Sequence, residues 1–294
     1  MDYPFPPSVV HGGPVRWTGK GFTTEDGRAI GVACYDQAAS NWSDELTRLH
    51  EAEAGERHPI DVASRALAVR SIRRWVRGDA PVILDVGCSS GHLLTELTAA
   101  FPRATVIGAD YIPELLERLA ARLPNVPIVQ FDLRKCPLPD ASIDAVTCLN
   151  VLEHIDDDEQ ALREVHRILK PGGIAHVEVP AGPHLYDVYD ELLMHHRRYR
   201  MRGLLELARR TGFEPLRGTH LGALIYPAFA MVKRKNRAKL SLGPEEKKAL
   251  VAGQIRSTGH SAALAAVIRL ETALGSFVRY PLGIRCVVVL RREA

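Results

Sequence analysis

The chain has 294 residues, 46% hydrophobic and 25% charged, the proportions of an ordinary globular protein with a sizeable core rather than a disordered or fibrous one. Its net charge of +3 is too small to argue for nucleic acid as a partner, and none is expected. Cys34, Cys88, Cys136, Cys148 and Cys286 form no C-x-x-C pair and no metal spacing, and their odd number argues against a disulfide framework. No metal is therefore expected, and the expected compartment is the reducing cytoplasm.

Residues 1–30 are rich in proline and glycine and without periodicity, which predicts an irregular arm. The opening Met1-Asp2-Tyr3-Pro4-Phe5 has neither the basic start nor the apolar run of a signal peptide, so none is expected. From Tyr35 to about Ala54 the pattern turns helical and polar, with Trp42, Leu46 and Leu49 on one face. Ile60 to Val76 predicts an amphipathic helix, with Ala63, Leu67 and Val76 among its apolar positions. Strands and helices then alternate. Strand 81–86 leads to helix 92–100, and strand 104–109 to helix 113–123, where Leu115, Leu116, Leu119 and Leu123 form a stripe. Strand 126–131 and strand 142–149 follow, then helix 157–169 with Leu162, Val165 and Leu169 inward, and strand 174–179. Near-continuous apolar strands between helices predict an α/β fold with a parallel sheet covered on both faces.

Residues 181–200 read as a loop with clustered Tyr, His and Arg, followed by helix 201–211, strand 213–218 and a final strand at 284–291. Between the last two strands lie the apolar run Leu221–Val232, the basic run Lys233–Lys239 and an amphipathic helix near 261–278. The apolar run is 12 residues long and holds Gly222 and Pro227, well short of the ~20 residues that span a bilayer.

Residues 82–91 carry the most chemistry. Val82-Ile83-Leu84-Asp85 predicts a buried strand ending in an acid, and Gly87 to Gly91 a tight turn into a helix. Small residues let backbone approach a ligand, and the unpaired N–H groups of the new helix point at the same spot. Asp110, at the end of the next strand, stands about where a doubly wound fold holds a ribose. An adenosine-type ligand is implied. A dinucleotide fingerprint starting at Gly87 would need glycine at 89 and 92, where the chain has Ser89 and His92.

What fits instead is D-x-G-x-x-x-G, carried by Asp85, Gly87 and Gly91. With it the chain resembles the class I S-adenosylmethionine-dependent methyltransferases. Gln130-Phe131-Asp132-Leu133, Cys148 to His154, and Leu169-Lys170-Pro171-Gly172-Gly173 resemble later motifs of that family, in order and at the right spacing over residues 60–180. The motif set is similar to the small-molecule, ubiquinone-biosynthesis-like branch. The resemblance implies a Rossmann-like, doubly wound, seven-stranded sheet, mostly parallel with an antiparallel last strand, in a three-layer sandwich. It implies an N-terminal arm and lid over 1–59, a cofactor domain over 60–294, and a cap insertion in the last hairpin over about 219–280. Tyr35 to Trp42 resembles a tyrosine-led lid motif. Ser89 departs from the family's usual middle glycine. A serine tolerates the turn if φ stays negative, which predicts altered loop geometry rather than lost binding.

By the same resemblance, S-adenosyl-L-methionine is the cofactor and S-adenosyl-L-homocysteine its product. Asp85 anchors the glycine loop and the methionine amine, Asp110 holds the ribose hydroxyls, and Asp132, followed by Leu133, accepts from the adenine amine. Gly87, Cys88 and Gly91 supply close backbone, Tyr111 flanks the adenine, Asn150 lines the methionine end, and Tyr35 belongs to the lid.

His154 and His196, at the sheet edge where open α/β sheets bind ligands, are candidates for a general base. His195, Arg197 and Tyr199 are candidates for contact with the acceptor, since arginine suits a carboxylate or phosphate. The activity implied is methyl transfer to O or N of a small molecule by a monomer or homodimer. An RNA or protein methyltransferase is disfavoured by the near-neutral charge and by Asn150-Val151-Leu152-Glu153 standing where an Asn-Pro-Pro-Tyr-like tetrad would be. A cofactor-binding relative without catalysis is the other alternative. Leu221–Lys239 has two readings: a cap over the acceptor pocket that also touches an anionic membrane peripherally, or a segment buried against the core or a partner chain, which its interruptions favour.

Overall fold

The computed structural model describes residues 3–36, 57–259, 261–275 and 277–293. Its strands are β1 (Val15–Trp17), β2 (Phe22–Thr24), β3 (Ala29–Ile30), β4 (Val32–Cys34), β5 (Val82–Val86), β6 (Thr105–Asp110), β7 (Ile128–Gln130), β8 (Ile143–Leu149), β9 (Leu169–Pro180), β10 (Phe213–Leu221) and β11 (Arg285–Arg292). Its helices are α1 (Pro59–Trp75), α2 (His92–Ala100), α3 (Pro113–Arg122), α4 (Asp158–Ile168), α5 (Val188–Leu192), α6 (Met201–Arg210), α7 (Tyr226–Arg237), α8 (Pro244–Gly259) and α9 (Ala262–Leu274).

Runs such as Val82-Ile83-Leu84 and Val287-Val288-Val289 have no polar face, so they need cover on both sides. They lie within a single sheet of order β10-β11-β9-β8-β5-β6-β7-β4. All its neighbours are parallel except β11, which runs antiparallel to β9 and β10. Alternate strand residues face two separate cores. Leu84, Ile107, Val129, Val146 and Val177 pack with Leu162, Val165 and Ile168 of α4 and with Leu204 and Leu207 of α6. Ile83, Val106, Ile128, Ala145 and Ile174 pack with Ala68 and Ile72 of α1, Leu94 and Leu97 of α2, and Leu116 and Leu119 of α3. The three layers expected from the sequence are present.

The sheet has eight strands rather than the seven expected. The extra one, β4, comes from the N-terminal arm and pairs parallel with β7, burying Val32 and Ala33. Three residues are too few to show a period, so this strand leaves no pattern in the sequence. Nor is the arm before it irregular. β1, β2 and β3 form a small antiparallel sheet whose Val15 and Phe22 join the α4 side of the core. Phe5 meets Phe22 edge-on at 5.0 Å.

Helix α4 stops at Ile168, and Leu169 turns to extended backbone to begin β9. The supposed loop 181–200 contains α5, closed by a capping box in which the Asp187 and Asp190 carboxylates satisfy each other's backbone amides. The helix expected from Tyr35 to Ala54 lies outside the described residues, apart from Tyr35 and Asp36.

His176, in the middle of β9, is fully buried; its Nδ1 meets Ser71 Oγ at 3.0 Å. Burial lowers its pKa from 6.5 to about 4. Above pH 6.5 both folded and unfolded chains hold it neutral; below that the unfolded chain alone takes up the proton until about pH 4. Wild-type stability should therefore fall across this window by about 3 kcal/mol more than that of His176→Gln. Urea denaturation of both proteins at several pH values checks this, and parallel profiles would refute it.

Candidate active site

The carboxyl ends of β5, β6 and β8 open into a cleft of about 1280 Å³. Gly87 N and Cys88 N, just past β5, donate to Ala109 O near the end of β6 (2.8 and 3.0 Å). Ser89 N donates to Asp110 Oδ2 (3.0 Å), while Asp110 Oδ1 accepts from Tyr111 N (2.7 Å). The acid that ties down the glycine loop is thus Asp110, not Asp85 as the resemblance suggested. Gly87 and Gly91 have φ of 73° and 69°, and a Cβ on either would stand 2.4 Å from Val151 Cγ2 or Leu119 Cδ1. Both glycines are needed for conformation and for space. Ser89 also has positive φ, 44°, not the negative φ expected: the serine adopts the left-handed turn itself.

Asp85, 3% exposed, accepts from Thr147 Oγ1 at 2.7 Å. Burial pushes its pKa up to about 7, against that hydrogen bond and with the help of the Asp110 charge. Asn150 also lines the cleft, held at φ 54° with its N–H on Glu178 O. Cys88 is a buried filler among Leu93, Leu94 and Ile83. Tyr111 and Leu133 line the cleft as expected. Asp132 lines it too, but both its oxygens are clasped by Arg134 (Oδ2 to Nη2 2.6 Å), which also reaches Asp156. Burial raises the Asp132 pKa, but the Arg134 hydrogen bonds outweigh it and hold the group below its usual value. Tyr35 is not among the cleft-lining residues; its hydroxyl donates to Pro6 O in the arm.

The far end of the cleft is built from side chains. Glu153 is fully buried, and neither carboxylate oxygen has a hydrogen-bond partner among the described residues. Burial pushes its pKa up to about 8, against its own backbone amide and Arg285. The His154 ring stands edge-on to that of His195, centroids 4.6 Å apart. His195 Nδ1 lies 2.8 Å from Asp190 Oδ1. Burial lowers the His195 pKa, Asp190 pulls it up, and the net direction is down, which favours a neutral ring; since the carboxylate can only accept, Nδ1–H is the donor. Asp190 also accepts from Arg198 (2.8 and 2.9 Å) and pairs with Lys233 (3.3 Å), which donates to Asp187 as well (2.6 Å). Burial opposes the Asp190 charge, but His195, Lys233 and Arg198 hold its pKa well below the usual value. His196 is exposed in the cleft wall, its N–H on Glu153 O.

Arg197 and Tyr199 are turned elsewhere. Arg197 pairs with Asp158 at 2.9 Å, and Tyr199 donates to the same carboxylate at 2.7 Å; neither lines the cleft. Sequence reasoning gave no role to Asp190 or Lys233, and none to Glu153 beyond its place in the Cys148–His154 motif. These three come from separate stretches of chain, and Lys233 sits at the head of a basic run that reads as solvated.

The segment between β10 and β11 contributes Phe229, Val232 and Lys233 of α7 and Ile255 and Thr258 of α8 to the cleft lining. Lys233 is therefore an internal counterion, and Arg237 donates to His184 O; Arg234, Lys235 and Lys239 remain exposed. Among the described residues, no helix is long and apolar enough to cross a membrane.

Residues 84–177 match a family model described as a methyltransferase domain. A demethylmenaquinone methyltransferase of Chlorobaculum tepidum is 34% identical over 125 residues, 42% of this chain and 51% of that protein. A Mycolicibacterium smegmatis protein named as a probable S-adenosylmethionine-dependent methyltransferase is 37% identical over 134 residues, 45% of this chain and 51% of it. The chain spans about half the length of these curated relatives. Among solved structures, the cyclase SpnF superposes with a TM-score of 0.57 at 18% identity, covering 85% of this chain and 93% of that one. Phosphoethanolamine N-methyltransferase 2 of Haemonchus contortus, in complex with S-adenosyl-L-methionine, superposes with a TM-score of 0.55 at 14% identity, covering 88% and 62%. At such identities the likeness shows the fold alone.

Lys233→Met leaves Asp187 buried without its cation and should destabilise the protein by ~3–5 kcal/mol. Arg234→Met, one residue on and exposed, should stay within about 0.5 kcal/mol of wild type. Urea denaturation of the pair measures the difference; equal midpoints would show that the buried network carries no weight.

Proposed function

We propose that residues 84–177, which match the methyltransferase-domain model, bind S-adenosyl-L-methionine in the manner of the class I enzymes, and that the whole protein moves the cofactor's methyl group to a small molecule held at the far end of the same cleft. The single observation that carries this reading is continuity: the glycine loop and Asp110 at one end share a cleft with Glu153, His195 and His196 at the other. The sulfonium methyl is already activated, so attack needs chiefly alignment, and positioning can supply ~7–11 kcal/mol. A base adds about 10²–10⁴-fold.

The acceptor's nucleophilic atom attacks the methyl carbon, the carbon–sulfur bond breaks, and S-adenosyl-L-homocysteine leaves as a neutral thioether. The acceptor's proton goes to a base on the cleft wall. His196 is exposed there and suits that part better than His154, which stands against His195. A small acceptor is favoured over RNA or protein because α7 and α8 cover the cleft. The relatives named for demethylmenaquinone favour a second reading, in which a quinol hydroxyl is deprotonated, an adjacent ring carbon takes the methyl as the carbon–sulfur bond breaks, and that carbon then gives up its hydrogen as a proton to restore the aromatic ring.

Calorimetric titration should show S-adenosyl-L-methionine binding at a single site. Asp110→Ala should weaken it roughly 10- to 150-fold, the loss of charge-assisted hydrogen bonds worth ~1.5–3 kcal/mol. Methyl-labelled cofactor incubated with phenols, quinols and amines then reads transfer. A wild-type chain that does not bind the cofactor would sink the proposal; unchanged affinity in the variant would remove Asp110 from the ribose.

A further inference from the structure

The far end of the cleft holds donor atoms that methyl transfer does not require. Glu153 is the most telling. Its two oxygens are buried without a hydrogen-bond partner among the described residues, although it lines the cleft. Such a group is costly to leave unsatisfied, and a buried polar atom without a partner points to a ligand, a water or an ion. Beside it lie two imidazoles. One donor atom each from Glu153, His154 and His195 falls within 4.8 Å of the other two.

The mounting of His195 adds an independent observation. Metal-binding histidines donate their other ring N–H to a carboxylate, which fixes the tautomer and the ring plane. His195 does this: Nδ1 is on Asp190, and Arg198 and Lys233 hold that carboxylate in place. The lone pair on Nε2 is then the one available to a ligand. His154 is placed by its edge-on contact with the same ring.

We propose that Glu153, His154 and His195 bind one divalent first-row transition cation at the acceptor end of the cleft. Two nitrogens and one carboxylate oxygen suit Zn²⁺ and its neighbours, whereas Mg²⁺ and Ca²⁺ favour all-oxygen sets. Three protein ligands leave positions open toward the cleft, as in catalytic rather than structural sites. The ligand class follows: an acceptor that offers the cation an oxygen, such as a phenol, an enol or a hydroxyl beside a carbonyl. Coordination lowers the pKa of that oxygen, its proton passes to His196 or water, and the oxygen or its conjugated carbon attacks the methyl. The acceptor class rests on the methyl-transfer reading; the cation site does not.

The test titrates chelator-treated full-length protein with Zn²⁺ alone, and each sample separately with S-adenosyl-L-methionine. One equivalent of Zn²⁺ should bind, and Glu153→Gln and His154→Ala should each weaken it by ~10-fold or more with cofactor affinity unchanged. X-ray absorption of the zinc-loaded wild-type protein should show nitrogen and oxygen donors and no sulfur, which decides the matter even if a variant fails to fold. Absence of Zn²⁺ binding, equal binding by both variants, or sulfur in the coordination shell would overturn the proposal. Zn²⁺ binding without cofactor binding would leave this site standing and remove the methyl-transfer reading; the converse would do the opposite.

Discussion

Asp190 is the group on which the far half of the cleft depends. A carboxylate with no exposed surface costs several kcal/mol to bury unless its partners are well placed. Here a histidine, a guanidinium and an ammonium converge on it, the first two from the stretch after α5 and the third from α7. Each partner is itself at least nine-tenths buried, so each would be costly without the acid. The cap helix, the short helix α5 and the His195 ring therefore share one electrostatic solution. Shifting any of them strands a charge. The network is weak evidence for stability, since apolar residues of equal volume often serve as well. What it supplies is one orientation of a neutral imidazole.

The two ends of the cleft are made of different material. At the β5–β6 end the work falls to backbone: Gly87 and Cys88 amides on Ala109 O, the Ser89 amide on Asp110, and positive φ at 87, 89 and 91. At the far end it falls to side chains from β8's exit, the 195–198 stretch and the segment between β10 and β11. Backbone geometry of the first kind suits a ligand common to many proteins. Side chains drawn from the segment between β10 and β11 can change without disturbing the sheet.

That division also decides what could be read from the sequence. Asp85, Gly87, Gly91 and Asp110 lie within 26 residues and follow strands whose apolar runs are unmistakable, so both fold and loop were legible. Glu153, His195 and Lys233 are brought together only by folding, across 80 residues, and no local pattern joins them. Arg197 and Tyr199 share the sequence cluster of His195 and His196, but Asp158 on α4 turns both away from the cleft. Adjacency along the chain carried no information about facing there, because the segment is neither helix nor strand. β4 escaped for the simpler reason that three residues cannot show a period.

Ser89 shows how the glycine loop keeps its shape. A non-glycine residue in the left-handed region costs ~1–2 kcal/mol, and such a conformation persists only where its surroundings over-determine it. Here they do. The two amides before Ser89 are tied to Ala109 O, its own amide is tied to the Asp110 carboxylate, and Gly91 sits against Leu119. All of these anchors belong to β6 or α3. The turn is thus imposed by the neighbouring strand and helix rather than chosen by its own residues, and the loop can carry a serine where a glycine is usual. At 87 and 91 glycine also spares Val151 and Leu119 from shifting, since a Cβ there would meet their side chains.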